Sequence, residues 1–174
     1  MRTTRPASAA FATLPLAAAL LLAVAAPARA ELTGVDRDFA TQAQRANIAA
    51  IQDAQWGEKS TASEPLKQLA QKIIKNRTTA SAELKTLAQQ QNFSLPPLPT
   101  GGQQEAAAAL RDKRGSELER AYAQHEIERH QQQIALYQRE IADGKDQGLR
   151  DYAQRNLPVL QDELGSARTV AQGK

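Results

Sequence analysis

Between residues 63 and 91, core-type side chains recur every three or four positions, which is the period of an α-helix with one buried face. Ser63 suits the N-cap and Pro65 the first turn of this helix. Its stripe consists of Leu66, Leu69, Ala70, Ile73, Arg77, Ala80, Leu84 and Leu87. No stretch of the chain alternates convincingly with a period of two, so the sequence predicts helices and no strands.

Three further helices follow from the same pattern. We expect them at about residues 36–59, at 103–143 with a break near Gly115, and at 147–171. The last one contains Pro158, which should kink it because proline removes one backbone donor. Four amphipathic helices with three connections predict an all-α, four-helix bundle.

The start of the chain has the features of a secretory signal peptide. Two arginines precede an uncharged apolar run at residues 16–26, which is too short to span a bilayer. Ala28 and Ala30 supply the small residues of a cleavage site. We therefore expect a signal peptide at residues 1–30 and one bundle domain at 31–174. The expected location is the periplasm, with outer-membrane association as an alternative.

Charge and cysteine content narrow the function classes. The formal net charge of +3 equals the three arginines of residues 1–30, so the expected domain is close to neutral. This balance removes the main support for a nucleic-acid or an anionic-membrane role. An envelope protein or a membrane surface stays a possible partner. The absence of cysteine excludes disulfides, thiolate metal sites and thiol catalysis. With no nucleophile–base or phosphate-binding motif either, a non-catalytic role is favoured.

The stretch HEIERH at residues 125–130 contains both histidines of the chain. A zinc protease motif needs histidines four residues apart, so that both reach one ion. His125 and His130 are five apart, which places them about 140° apart around a helix. The sequence therefore excludes this motif. It predicts that His130 points inward, favours a hydrogen-bonded core histidine over a metal ligand there, and predicts an exposed or rim position for His125.

Two charged residues interrupt apolar stripes. Arg77 lies in the second helix and Glu163 in the last, and their charges are opposite. A charge in a buried seam must be paired, or it costs several kcal/mol. Either both side chains extend to the rim, or they form a buried pair near His130. Glu126 lies one turn before His130 and is a further candidate neighbour.

Five stretches of the chain together carry a resemblance to a known family. They are LKQLAQKIIKNRTTASAELKTLA, GSELERAY, HEIERHQQQIALYQREIADGKDQGLRDYA and LPVLQDELGSA, with a weaker match at DRDFATQA. These stretches resemble the exported, ferritin-like bacterial proteins grouped as domain of unknown function 4142. The resemblance implies a four-helix bundle outside the cytoplasm. It also implies a central ligand set of one Glu and three His, which falls on Ala50, Arg77, His130 and Glu163. Only His130 keeps the family's residue type.

This departure suggests that no cofactor is bound and that Arg77, His130 and Glu163 form a polar cluster in place of a metal centre. One alternative is an iron or manganese site made by His130, Glu126 and Glu163, since oxygen-rich ligand sets suit these metals. Another alternative is a binder of a small apolar molecule or lipid, aided by the alanines of the first helix and by Trp56.

Overall fold

The computed structural model describes residues 31–173, and in this range the chain is all-α. The helices are α1 (Gly34–Ser60), α2 (Glu64–Gln90), α3 (Gly101–Ala108), α4 (Gly115–Asp143) and α5 (Gln147–Ala171). The predicted fold class is confirmed. The predicted signal peptide, with Ala28 and Ala30, lies outside the described residues. None of the helices in residues 31–173 combines the length with the apolar composition that a membrane span requires.

The four long helices form a bundle from two hairpins, α1 with α2 and α4 with α5. The hairpins meet where α2 packs on α5 and α1 packs on α4. Contacts between the hairpins pair early residues of one helix with late residues of the other, so these neighbours are antiparallel. Consequently α2 and α4 run in the same direction, and residues 91–114 must return along the bundle. Ferritin-like bundles likewise have one long crossover connection.

The crossover differs from the predicted interrupted helix at 103–143. Here α3 and α4 are separate helices, and residues 109–114 between them are not helical. α3 begins with a capping box formed by Thr100 and Gln103. α4 begins at Gly115, whose φ of +55° is a left-handed conformation that favours glycine. This glycine explains why the helix cannot continue through the break.

Two apolar cores lie at opposite ends of the bundle. One contains an aromatic cluster in which the ring of Phe39 lies 5.1 Å from that of Tyr137 and 6.1 Å from that of Tyr152. The other is built around Leu66, Ile73, Leu118 and Tyr122. On each long helix, buried polar residues separate the residues of the two cores. We call this zone the polar layer. It includes Asn47, Arg77, Glu126, His130 and Glu163.

α1 and α4 approach closely at Gly57. A Cβ added to Gly57 would lie 2.7 Å from Cε2 of the fully buried Tyr122 ring. We expect Gly57→Ala to lower the free energy of unfolding by about 1–2 kcal/mol, because overpacking costs more than the gain in helix propensity. Urea denaturation measures this change. Gly165→Ala in α5 is the control, since no atom lies within 4 Å of its added Cβ. Equal stabilisation in both variants would contradict the close packing.

Candidate functional site

Arg77 and Glu163 form a buried ion pair in the polar layer. Nη2 of Arg77 lies 3.2 Å from Oε2 of Glu163, and the side chains are 1% and 0% exposed. The other oxygen of Glu163 accepts a hydrogen bond of 2.8 Å from the side-chain amide of Asn76. The two charges lie on α2 and α5, so their contact joins the two hairpins of the bundle.

His130 lies on α4 and contacts oxygen atoms through both ring nitrogens. Its Nε2 is 2.9 Å from Oε2 of Glu163. Its Nδ1 is 2.7 Å from the backbone oxygen of Glu126 and 3.4 Å from Oε2 of the same residue. A backbone carbonyl oxygen only accepts hydrogen bonds, so Nδ1 is the donor in its contact with Glu126. Metal binding would therefore need a free lone pair on Nε2.

The network continues from Glu126 towards the rim of the bundle. Arg129 donates to Glu126 through Nη2 and to Asp53 of α1 through Nη1, the latter at 3.0 Å. Burial alone would lower the pKa of Arg129, but Glu126, Tyr122 and Asp53 outweigh it, so the pKa is raised. Burial and the neighbouring Glu126 also raise the pKa of Tyr122 well above its usual value. The network therefore holds a charged arginine beside a neutral tyrosine.

The side chains of this network bring opposite charges together. Three carboxylates, from Asp53, Glu126 and Glu163, contact the guanidinium groups of Arg77 and Arg129 and the ring of His130. Isolated buried charges are costly, whereas paired ones are tolerated, and Arg77 makes its charge contact without a hydrogen bond within residues 31–173. The polar layer is thus a chain of ion pairs that links α2, α5, α4 and α1.

The structure brings Arg77, His130 and Glu163 into contact. The sequence left two arrangements open for Arg77 and Glu163, and this one is the buried pair near His130. The candidate metal ligands Glu126 and Glu163 contact opposite nitrogens of His130, and the Arg77 guanidinium takes a place beside Glu163. Arginine cannot ligate a metal ion. Among residues 31–173, no group of three or more histidine or carboxylate side chains is placed to hold a metal ion. Arg77 thus removes one donor from the ligand set that the family resemblance implies.

The two histidines of HEIERH contact different helices, because five residues separate them. His130 faces α5, whereas Nε2 of His125 lies 3.1 Å from Oδ2 of Asp53 in α1. The side chain of His125 is only 18% exposed. This partial burial agrees with the rim position, one of the two positions predicted for His125, and Asp53 is its partner there.

Sequence reasoning missed Asp53, Arg129 and Asn76. Asp53 lies next to the buried Ala54, at the edge of the apolar stripe of α1. Arg77 was identified from a similar place in the stripe of α2. Glu126 and Arg129 are three residues apart on one helix, so their spacing alone predicts an ion pair between them. Asn76 gave no such signal, because a neutral polar residue next to a stripe is usually exposed.

A second cluster of polar residues lies where α1 begins and α4 ends. The Asp36 carboxylate accepts hydrogen bonds from the backbone of Thr33, Lys145 and Asp146. Burial raises the pKa of Asp36, but these bonds and the Thr33 hydroxyl outweigh it, so the pKa is lowered. Burial and the Asp36 charge raise the pKa of the neighbouring Glu140 to about 8. One carboxyl is thus ionised and the other is neutral near pH 7.

Comparison with solved structures places the fold among known helical bundles. The chain is similar to the structure titled "Crystal structure of DUF305 fragment from Deinococcus radiodurans", with a TM-score of 0.74 and 14% sequence identity. The match covers 83% of this chain and 100% of that chain, and at this identity it shows the fold alone.

The family model described as "Domain of unknown function (DUF4142)" matches residues 21–170. The chain belongs to this family. A comparison with curated proteins found no match.

Proposed function

We propose that this protein is an exported, non-catalytic helical bundle in which an Arg77–Glu163–His130 cluster takes the place of a metal centre. The observation that carries the proposal is the fully buried Arg77 guanidinium, 3.2 Å from Glu163 at the centre of the bundle. A permanent cation supplies there the positive charge that a metal ion would otherwise supply among carboxylate and imidazole groups. The cluster then acts in the bundle as a structural element.

The permanent charges of the network support the same proposal. Two guanidinium groups, of Arg77 and Arg129, already pair with the carboxylates of Glu163, Glu126 and Asp53. A divalent ion would add two positive charges to a closed low-dielectric layer and would compete with Arg77 for Glu163. Such a layer favours a metal-free state.

Export and a periplasmic location are parts of the proposal that rest on the sequence of residues 1–30. Without a substrate-activating group in the polar layer, the protein is proposed to work by interaction in the cell envelope. The network links all four long helices, so a rigid scaffold is the physical property it provides.

Elemental analysis of the purified, untagged protein tests the metal-free state. The protein is incubated with Fe(II), Mn(II) or Zn(II), loose ions are removed, and the retained metal is measured in wild type and in His130→Ala. We expect both proteins to retain well below one metal ion per chain, because the Glu163 carboxylate is already paired with Arg77, which cannot ligate a metal ion. About one bound ion per chain in wild type, lost in His130→Ala, would overturn the proposal and support the iron or manganese alternative.

A variant in which the family's ligand set is rebuilt serves as the positive control for the metal analysis. Ala50→Glu, Arg77→His and Glu163→His together restore the residue types that the family resemblance assigns to these positions. If Arg77 and Glu163 are what prevents binding, this variant gains metal while wild type does not. Retention of metal by wild type at the level of the rebuilt variant would contradict the proposal.

A further inference from the structure

A cavity of 160 Å³ lies between α1, α4 and the start of α3, beside the polar layer. Two arginines, Arg45 and Arg129, line it together with four glutamines and Thr100. None of the described residues that line it is a carboxylate. The polar part of its lining therefore consists of arginine, glutamine and threonine side chains, and Arg129 also belongs to the ion-pair network next to it.

Several buried polar atoms at this cavity make no hydrogen bond within residues 31–173. They include both side-chain atoms of the amide of Gln133, a residue that is only 4% exposed. The Nε atoms of Arg45 and of the 8%-exposed Arg129 are the others. Four of the thirteen unsatisfied buried side-chain atoms in residues 31–173 thus belong to residues that line this cavity. Each such group costs about 1–3 kcal/mol, so a ligand that pairs with these side chains would recover part of that cost.

The start of α3 adds further donors. Oε1 of Gln103 accepts from the backbone of Thr100 at 2.8 Å, which leaves the NH₂ group of Gln103 free to donate elsewhere. Cβ atoms added to Gly101 and Gly102 would meet nothing within 4 Å, so this first turn is open to a neighbour. The amino end of a helix also favours negative charge.

Arg129 is held in place at the cavity by the polar layer. Its two Nη atoms bind Asp53 and Glu126, and its Nε makes no hydrogen bond within residues 31–173. A guanidinium fixed in this way loses little entropy when it binds an oxygen atom. The polar layer thus acts as a support for this donor.

We propose that the cavity binds a small oxyanion that carries a hydroxyl group, such as hydrogen phosphate or a short hydroxy acid. The arginine and glutamine donors suit the charged oxygens. The unpartnered Oε1 of Gln133 is an acceptor, so it suits a P–OH or C–OH group. A cavity of 160 Å³ is large enough to hold such an ion.

Calorimetric titration of the purified protein, in a chloride buffer free of oxyanions, tests this site. Inorganic phosphate and lactate distinguish the two sources of the hydroxyl group, and sulfate, which has none near pH 7, is the comparison anion. The variants are Arg45→Gln and Gln133→Leu. Arg139→Gln, at an exposed position of α4, is the control for loss of one positive charge.

We expect saturable binding of phosphate or lactate that is tighter than that of sulfate. Arg45→Gln and Gln133→Leu should each weaken it by about tenfold, or about 1.4 kcal/mol, and Arg139→Gln should leave it unchanged. Gln133→Leu should also keep or raise the melting temperature, because it replaces an unpartnered amide by an apolar group of similar size. If Gln133 had only a structural role, this substitution would instead lower the melting temperature of the protein.

Three results would overturn the site. They are no saturable heat for phosphate or lactate up to about 10 mM, weakening by Arg139→Gln as large as by Arg45→Gln, or sulfate binding as tight as that of both hydroxyl-bearing anions. The site does not depend on the metal-free state proposed above, so the metal analysis and this titration can fail separately.

Discussion

Arg77→Met is expected to lower the free energy of unfolding by about 3–5 kcal/mol, because it leaves the Glu163 carboxylate buried without its cation. Methionine is long enough to fill much of the space of the arginine stem, so the loss reports on charge more than on a cavity. Chemical denaturation followed by circular dichroism measures this change. Most surface substitutions stay within about 0.5 kcal/mol, so the expected effect is clearly separable.

Lys75→Met is the matched control for Arg77→Met. Lys75 is an exposed residue of the same helix, and its replacement removes the same formal charge. We expect this control to change stability by less than about 0.5 kcal/mol. If Arg77→Met were as mild as Lys75→Met, the buried ion pair would have no structural role.

Glu140→Gln is expected to stabilise the protein at alkaline pH and to have little effect in acid. The pKa of Glu140 is raised from 4.5 to about 8 by burial and by the Asp36 charge. A raised folded-state pKa gives stability that is complete below the unfolded value and is lost as pH rises through the folded value. The wild type should therefore lose stability relative to Glu140→Gln between about pH 5 and about pH 9.

The size of this relative loss is expected to be about 2 kcal/mol, after allowance for solvent screening at this end of the bundle. Urea unfolding at both pH values measures it, and Glu128→Gln, at an exposed position of α4, is the control. A stability difference between wild type and Glu140→Gln that is the same at both pH values would show that Glu140 ionises normally in the folded protein.

The sequence was sufficient to predict the helical bundle because periodicity is a local property. The stripe from Leu66 to Leu84 is buried as its spacing predicts. The crossover was harder to predict, since its break depends on Gly115 taking a left-handed conformation, and a glycine inside a helical pattern leaves this open.

The site was only partly predictable, for a related reason. Arg77 and Glu163 were noticed because each interrupts an apolar stripe. The pairing of Asp53 with Arg129 and the contact of Asp36 with the α4–α5 turn join residues more than 70 positions apart. Such partners depend on how the two hairpins pack together, and periodicity within one helix carries no information about that.

The coupling energy between Arg77 and Glu163 tests the central claim most directly. It comes from the unfolding free energies of wild type, Arg77→Met, Glu163→Met and the double variant, each measured with and without a metal chelator. We predict a favourable coupling of about 1–3 kcal/mol that the chelator does not change. A coupling near zero, or a wild type that loses stability in the chelator, would contradict a metal-free cluster that holds the bundle together.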